Sequence, residues 1–229
     1  MKNRDRINFQ HFLERDELTP SLANMPLNAS GESLICHCLK NGLADFVADI
    51  LASEKAREKF KFEHVESDSG SLLHLLAARG DDRLWPLALQ RCDVNCRDSE
   101  GDTALMVAAR EGRGKLLLTA LNSAPAINAG LVNKNGENLL MLAIQTLDES
   151  EIMELIHHEK VDLKECLNQR ERSQGATPLI IAANLHKWAI AKALLESTRL
   201  KDEAGKGVMD VHLTDKGGQT ALVVILLAR

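Results

Sequence analysis

One short pattern recurs six times along this chain, and it limits the fold more than any other feature. The segments are SLICHC at 33–38, SLLHLLAARG at 71–80, TALMVAAREG at 103–112, NLLMLAI at 138–144, TPLIIAANLH at 177–186 and TALVVILLA at 220–228. Each opens with a small polar residue: Ser33, Ser71, Thr103, Asn138, Thr177 and Thr220. The steps between these anchors are 38, 32, 35, 39 and 43 residues. A period in this range marks a repeat architecture in which each unit is one supersecondary element.

A small polar residue ahead of an apolar run is a helix start, because its side-chain oxygen takes an orphan backbone N–H. Pro178 follows Thr177 at the first helical position, where a missing N–H costs nothing. A second apolar stretch follows each of the first five segments: 43–51, 84–89, 114–121, 150–156 and 188–195, with apolar residues at helical spacing. One such helix pair cannot cover its own apolar surface, so neighbouring pairs must stack.

The detail of the units resembles the ankyrin-repeat family. The third unit reads DSEGDTALMVAAREG from Asp98 to Gly112, the fifth GATPLIIAA from Gly175 to Ala183, and the second LHLLAARG from Leu73 to Gly80. CDVN at Cys92 to Asn95 matches the turn that ends such a repeat. The resemblance runs over about residues 30–229 and is fullest in units two, three and five. It implies an all-α solenoid of helix–turn–helix units with short projecting β-turn or hairpin loops. The units are expected at about 30–68, 69–98, 99–133, 134–172, 173–215 and 216–229, the last partial. Residues 1–29 are expected to form an N-terminal cap or a partly disordered arm.

The same resemblance assigns tasks to particular residues. Ala108, Ala109, Ala182 and Ala183 are small so that first helices pack closely. Gly80 and Gly112 end first helices in a left-handed conformation, and His186 stands where unit five would have its glycine, which predicts a distorted turn. His74 is expected to bond across to the neighbouring repeat. Trp85 and Trp188 fall among the apolar positions of second helices and are expected in the core. Two segments depart from the period. Residues 52–67 predict a longer, charged second helix in unit one, and 197–212 predict an exposed loop.

Aromatic residues make up 3% of the chain, with two Trp, five Phe and no Tyr. A core of Leu, Ala, Ile and Val suits closely stacked helices. The net charge is −5, so the chain as a whole lacks the basic footprint of nucleic-acid binding. No run of eighteen apolar residues predicts membrane insertion. The polar first seventeen residues lack the apolar run of a signal peptide, which points to a cytoplasmic protein, or one acting in the nucleus or in a host cytosol. The five cysteines, Cys36, Cys38, Cys92, Cys96 and Cys166, are an odd number and argue against a disulfide framework. Cys36-x-Cys38 with Cys92-x3-Cys96 invites a zinc reading, but in the repeat register these fall where small core side chains sit. No HExxH, GxxxxGK[ST] or GxSxG pattern is present. Neither enzyme activity nor a cofactor is therefore expected.

What remains is binding. The resemblance implies that a partner protein docks on a concave palm of first helices and on the finger loops before them. The residues implied are Ser99, Glu100, Asp102, Arg110 and Glu111 in unit three. Lys134, Asn135, Glu137, Gln145 and Thr146 follow in unit four, then Ser173, Gln174, Ala176, Asn184 and Leu185 in unit five, with Lys216 and Gln219 in unit six. The group is mixed in charge and free of aromatics, which predicts a polar, salt-sensitive interface. The chain reads as a monomer in isolation, acting as scaffold or substrate receptor. The alternative is the targeting domain of a larger enzyme, ion channel or bacterial effector whose activity lies beyond Arg229, since VVILLAR stops inside the first helix of the sixth unit.

Overall fold

In the computed structural model, which describes residues 2–13, 19–29, 31–62, 70–123, 127–159, 161–196 and 208–227, every recurring segment is a helix. Two helices precede the first unit, α1 (Lys2–Leu13) and α2 (Pro20–Ala23). Unit one holds α3 (Leu34–Lys40), α4 (Ala44–Ala52) and α5 (Glu54–Lys59). Four pairs follow: α6 (Leu72–Arg79) with α7 (Trp85–Leu89), α8 (Ala104–Arg110) with α9 (Gly114–Ser123), α10 (Leu139–Thr146) with α11 (Glu149–His157), and α12 (Pro178–Asn184) with α13 (Trp188–Glu196). The last described helix is α14 (Ala221–Leu227).

The anchors act as caps. Ser33, Thr103, Thr177 and Thr220 accept a hydrogen bond through their hydroxyls from the backbone N–H three residues on, and Asn138 does so through its amide oxygen. Each cap stabilises its helix by about 1 kcal/mol. Ser71 departs from this pattern. Its backbone N–H donates to His74 Nδ1 at 3.0 Å, and His74 Nε2 lies 2.9 Å from the Asp102 carbonyl. That arrangement requires the Nε2–H tautomer, and it carries out the cross-repeat bond expected of His74.

First helices form one layer, α6 on α8 on α10 on α12 on α14. Second helices form the other, α4 on α7 on α9 on α11 on α13. Ala108, Ala109, Ala143, Ala182 and Ala183 are buried where the first helices meet. Side-chain donors tie the layers laterally. Arg79 donates to the Leu39 carbonyl, Thr146 to Ala109, Lys187 to Leu147 and Arg91 to Leu51. These acceptors lie at or near helix C-termini, whose carbonyls have no partner within the helix.

The turn at His186 is regular. His186 is left-handed at φ 55°, beside 65° for Gly112. Its N–H reaches the Ala183 carbonyl as that of Gly112 reaches Ala109. The predicted distortion is absent because the imidazole side chain stays out in solvent. A side chain held at positive φ costs roughly 1 kcal/mol, a strain that the stack around it can hold.

Two other expectations are corrected. Residues 52–67 do not extend α4. Ser53 adopts an extended conformation and its hydroxyl caps Ala56, so a separate helix α5 starts there; residues 63–67 lie outside the described residues. Trp188 is not in the core but 41% exposed, edge-on to His186 at 5.3 Å between ring centres. Its counterpart at the start of α9, Gly114, is covered by the Glu151 side chain from the next pair. No described second helix follows α13 to cover Trp188 in the same way. Trp85 is fully buried, as expected, and its indole N–H donates to the Leu116 carbonyl at 2.9 Å.

The described part of residues 1–29 lies against unit one. Phe9 meets Phe46 edge-on at 4.7 Å and Gln10 donates to Asp49. Asn24 bonds both the Lys59 carbonyl and the Lys61 N–H. Of the predicted 197–212 loop, 197–207 lie outside the described residues.

At the other end, Leu222, Val223 and Leu226 are 62%, 39% and 58% exposed. Their register counterparts in unit five, Leu179, Ile180 and Ala183, are buried against α13 and α14. Position in the stack, not residue type, decides the energetics. Ile180→Ala is expected to lower unfolding free energy in urea by about 2–5 kcal/mol, while Leu222→Ala changes it by about 0.5 kcal/mol or less.

Candidate partner-binding site

Four described loops project ahead of α8, α10, α12 and α14, and the same device builds each. A carbonyl-bearing side chain at the base of the loop accepts backbone N–H groups from its far side, an Asx-type turn. Asp98 accepts from Glu100 and Asp102, Asn133 from Asn135 and Glu137, and Asp215 from Gln219. Unit five is one residue longer between this base and the cap, and it carries Glu171 there. The extra methylene spans the longer turn. Glu171 accepts from the backbone N–H groups of Ser173, Gln174 and Ala176 at 2.5–3.0 Å.

The loops are also bonded to one another. Lys134 N–H donates to the Glu100 carbonyl, Arg172 to Asn135 and Lys216 to Gln174, at 2.7–2.9 Å. Arg97 reaches forward to the Val132 carbonyl, and Arg170 to that of Thr214. The fingers therefore form a continuous ladder rather than four separate loops. Isolated bridges, Arg97 with Thr103, Val132 with Asn138 and Thr214 with Thr220, are the short hairpin element that the sequence predicts.

The expected contact residues divide into three groups. Ser99, Glu100, Lys134 and Asn135 stand exposed on fingers three and four, and Arg110 and Glu111 at the end of α8. Glu100 and Lys134 face each other at 3.5 Å, a solvent-exposed pair that adds little to stability. Asp102 is different. It is 1% exposed, and its carboxylate accepts both Arg110 guanidinium nitrogens and the Asn133 amide at 2.8 Å. Its role is to hold Arg110 and finger four in place, so it presents nothing to a partner. Thr146 likewise spends its hydroxyl on the Ala109 carbonyl.

Of the rest, Glu137, Gln145, Ser173, Gln174 and Asn184 come together, with Ala176 and Leu185 beside them. They line one open pocket of about 390 Å³ between units four and five. Ala176, Ile181 and Leu185 supply apolar surface there, and the buried Glu171 completes the wall. Lys216 and Gln219 stand exposed on finger six. Glu171 and Ile181 were missed by sequence reasoning, although each has a register signal. Glu171 aligns with Asp98 and Asn133 once the one-residue insertion is allowed, and Ile181 aligns with the half-buried Val107. Among the described residues, no group of three or more His, Cys, Asp or Glu is placed to hold a metal ion. Cys36, Cys38 and Cys166 are buried, and burial pushes the Cys166 thiol up to about 12.

Burial pushes the Glu171 carboxyl upward, but the hydrogen bonds from Ala176, Ser173 and Gln174 outweigh it and hold the group below the usual Glu range. A depressed folded-state value stabilises the fold above the unfolded value near about pH 4.3. That contribution is lost as pH falls through the folded value. Glu171→Gln, whose amide can offer these donors only one oxygen, is expected to cost about 1–3 kcal/mol at pH 7. The difference from wild type should shrink in urea titrations taken from pH 6 toward pH 3.

Comparison with known proteins agrees with this geometry. Residues 73–165 match the family model described as ankyrin repeats (3 copies). The solved structure of EF0377, an ankyrin repeat protein, is similar with a TM-score of 0.66 at 20% identity, over 85% of this chain and 90% of that one. Ankyrin repeats generally mediate protein–protein interaction and are generally non-catalytic. No helix among the described residues is long and apolar enough to cross a membrane. Residues 73–165 thus resemble ankyrin repeats by sequence, and the described chain has the fold of an ankyrin-repeat solenoid.

Proposed function

We propose that this chain holds a partner protein against the fingers and first helices of units three to five, as a scaffold or substrate receptor. The observation that carries this reading is convergence. Five side chains spread from Glu137 to Asn184 meet in one pocket, beside fingers already bonded into a ladder. Fingers held in place before binding lose little entropy on docking. A partner then meets exposed groups of both signs on a fixed backbone, an arrangement that favours specificity and association rate. The module acts as a monomer in the cytoplasm, where its five cysteines stay reduced.

Glu100, Glu111 and Asn184 are exposed and hold no structural role comparable to that of Asp102. Reversing or adding charge there, with Glu100→Lys, Glu111→Lys and Asn184→Lys combined, is expected to lower partner recovery in affinity capture at least about tenfold, as loss of one or two contacts of 1–2 kcal/mol implies. Thermal unfolding of the variant should match that of the wild type. Equal recovery by the variant would remove the concave surface from the interaction.

A further inference from the structure

Resting on that reading, we infer that the pocket between units four and five receives a basic side chain, lysine or arginine, of the partner protein. Its lining includes two carboxylates and no lysine or arginine. Glu171 is fully engaged by backbone N–H groups, so it contributes field rather than a contact. Glu137 is the available acceptor. Its Oε2 accepts from Asn133 and faces the Asn135 amide at 3.5 Å, and its Oε1 is engaged by none of the described residues. Arg110 lies at the edge of the site, 4.0 Å from Glu137 Oε2, but its guanidinium is committed to Asp102. That cation is thus shared between Asp102 and Glu137, with its shorter contacts on Asp102.

The rest of the lining fits the stem of such a side chain. Ala176, Ile181 and Leu185 offer apolar surface, and the exposed amides of Gln145, Gln174 and Asn184 offer oxygen acceptors around it. A long aliphatic stem with a cationic tip covers the first and satisfies the second. An acidic side chain would face both carboxylates. An aromatic one would strip water from Glu137 and the amides without replacing their hydrogen bonds. A volume of about 390 Å³, open to solvent, suits one long side chain together with its hydration water.

The test uses the intact chain and four synthetic dodecapeptide pools. Their central residue is Lys, Arg, norleucine or Glu, and the other positions are a fixed neutral mixture. Retention on the immobilised chain is read by mass spectrometry. The Lys and Arg pools should be retained at least about fivefold over the norleucine and Glu pools. Gln145→Lys with Asn184→Lys, which places two cations at the pocket, should abolish that preference. Glu149→Gln with Glu154→Gln raises net charge by the same amount on the exposed face of α11 and should leave it intact. A preference that survives the pocket variant, or that is lost equally in the α11 variant, would overturn the inference, since general charge attraction would then explain it. If all four pools are retained alike, and all are lost with Glu100→Lys and Glu111→Lys, the cation pocket fails while the concave-face reading stands. No retention of any pool by the wild type counts against both.

Discussion

A helix pair such as α8 with α9 carries apolar residues toward its own partner helix and also toward the neighbouring pair. Its two helices cover only the first set. Leu105, Met106, Ala108 and Ala109 are buried because α6 lies on one side of α8 and α10 on the other. This demand for a neighbour sets most of the molecule's character. Close approach of the first helices requires alanine at their contacts, so large rings are not needed to fill the layer, and Trp85 is the one fully buried tryptophan. It also explains why equivalent side chains differ so much in exposure. Ile180 and Val223 hold the same register, yet only the first has a described helix, α14, stacked beyond it.

The spacing imposed by stacking has a second effect, on the loops. Adjacent fingers arrive close enough for the backbone of one to bond the backbone of the next. Each finger is in turn closed on itself by its basal Asp, Asn or Glu. The glutamate of unit five shows how strict that geometry is, because one added residue in the turn is matched by one added methylene in the side chain that closes it. The backbone shape of this surface is therefore set by the fold, while its exposed side chains vary from unit to unit.

Charge on this surface is local rather than global. The chain carries −5 overall, yet Glu100 faces Lys134 and Arg110 is taken up by Asp102. These pairs cancel much of the field over units three and four. Glu137 and Glu171 line the pocket with no lysine or arginine among its lining residues, and Arg110 reaches Glu137 only at 4.0 Å. At physiological salt the field of exposed charges is screened within about 8 Å.

Much of this was legible in the sequence. Six small polar anchors at steps of 32 to 43 residues located every first helix, because a cap depends on one residue and the N–H three positions on. The apolar spacing located the second helices for the same local reason. The polar finger residues were readable too, and Ser99, Glu100, Lys134 and Asn135 do stand exposed. Side-chain direction was not legible. Asp102 stands in a finger, as Glu100 does, but Arg110 and Asn133, 8 and 31 residues away, turn it inward. Trp188 has the composition of a core residue and faces outward because no described helix covers it. Ser53 ends α4 although the charged run beyond it favours helix. The pocket exists only because units four and five lie side by side. Local hydrogen bonds and periodicity are written in consecutive residues, whereas burial and convergence depend on which distant segments become neighbours, and only the packed stack decides that.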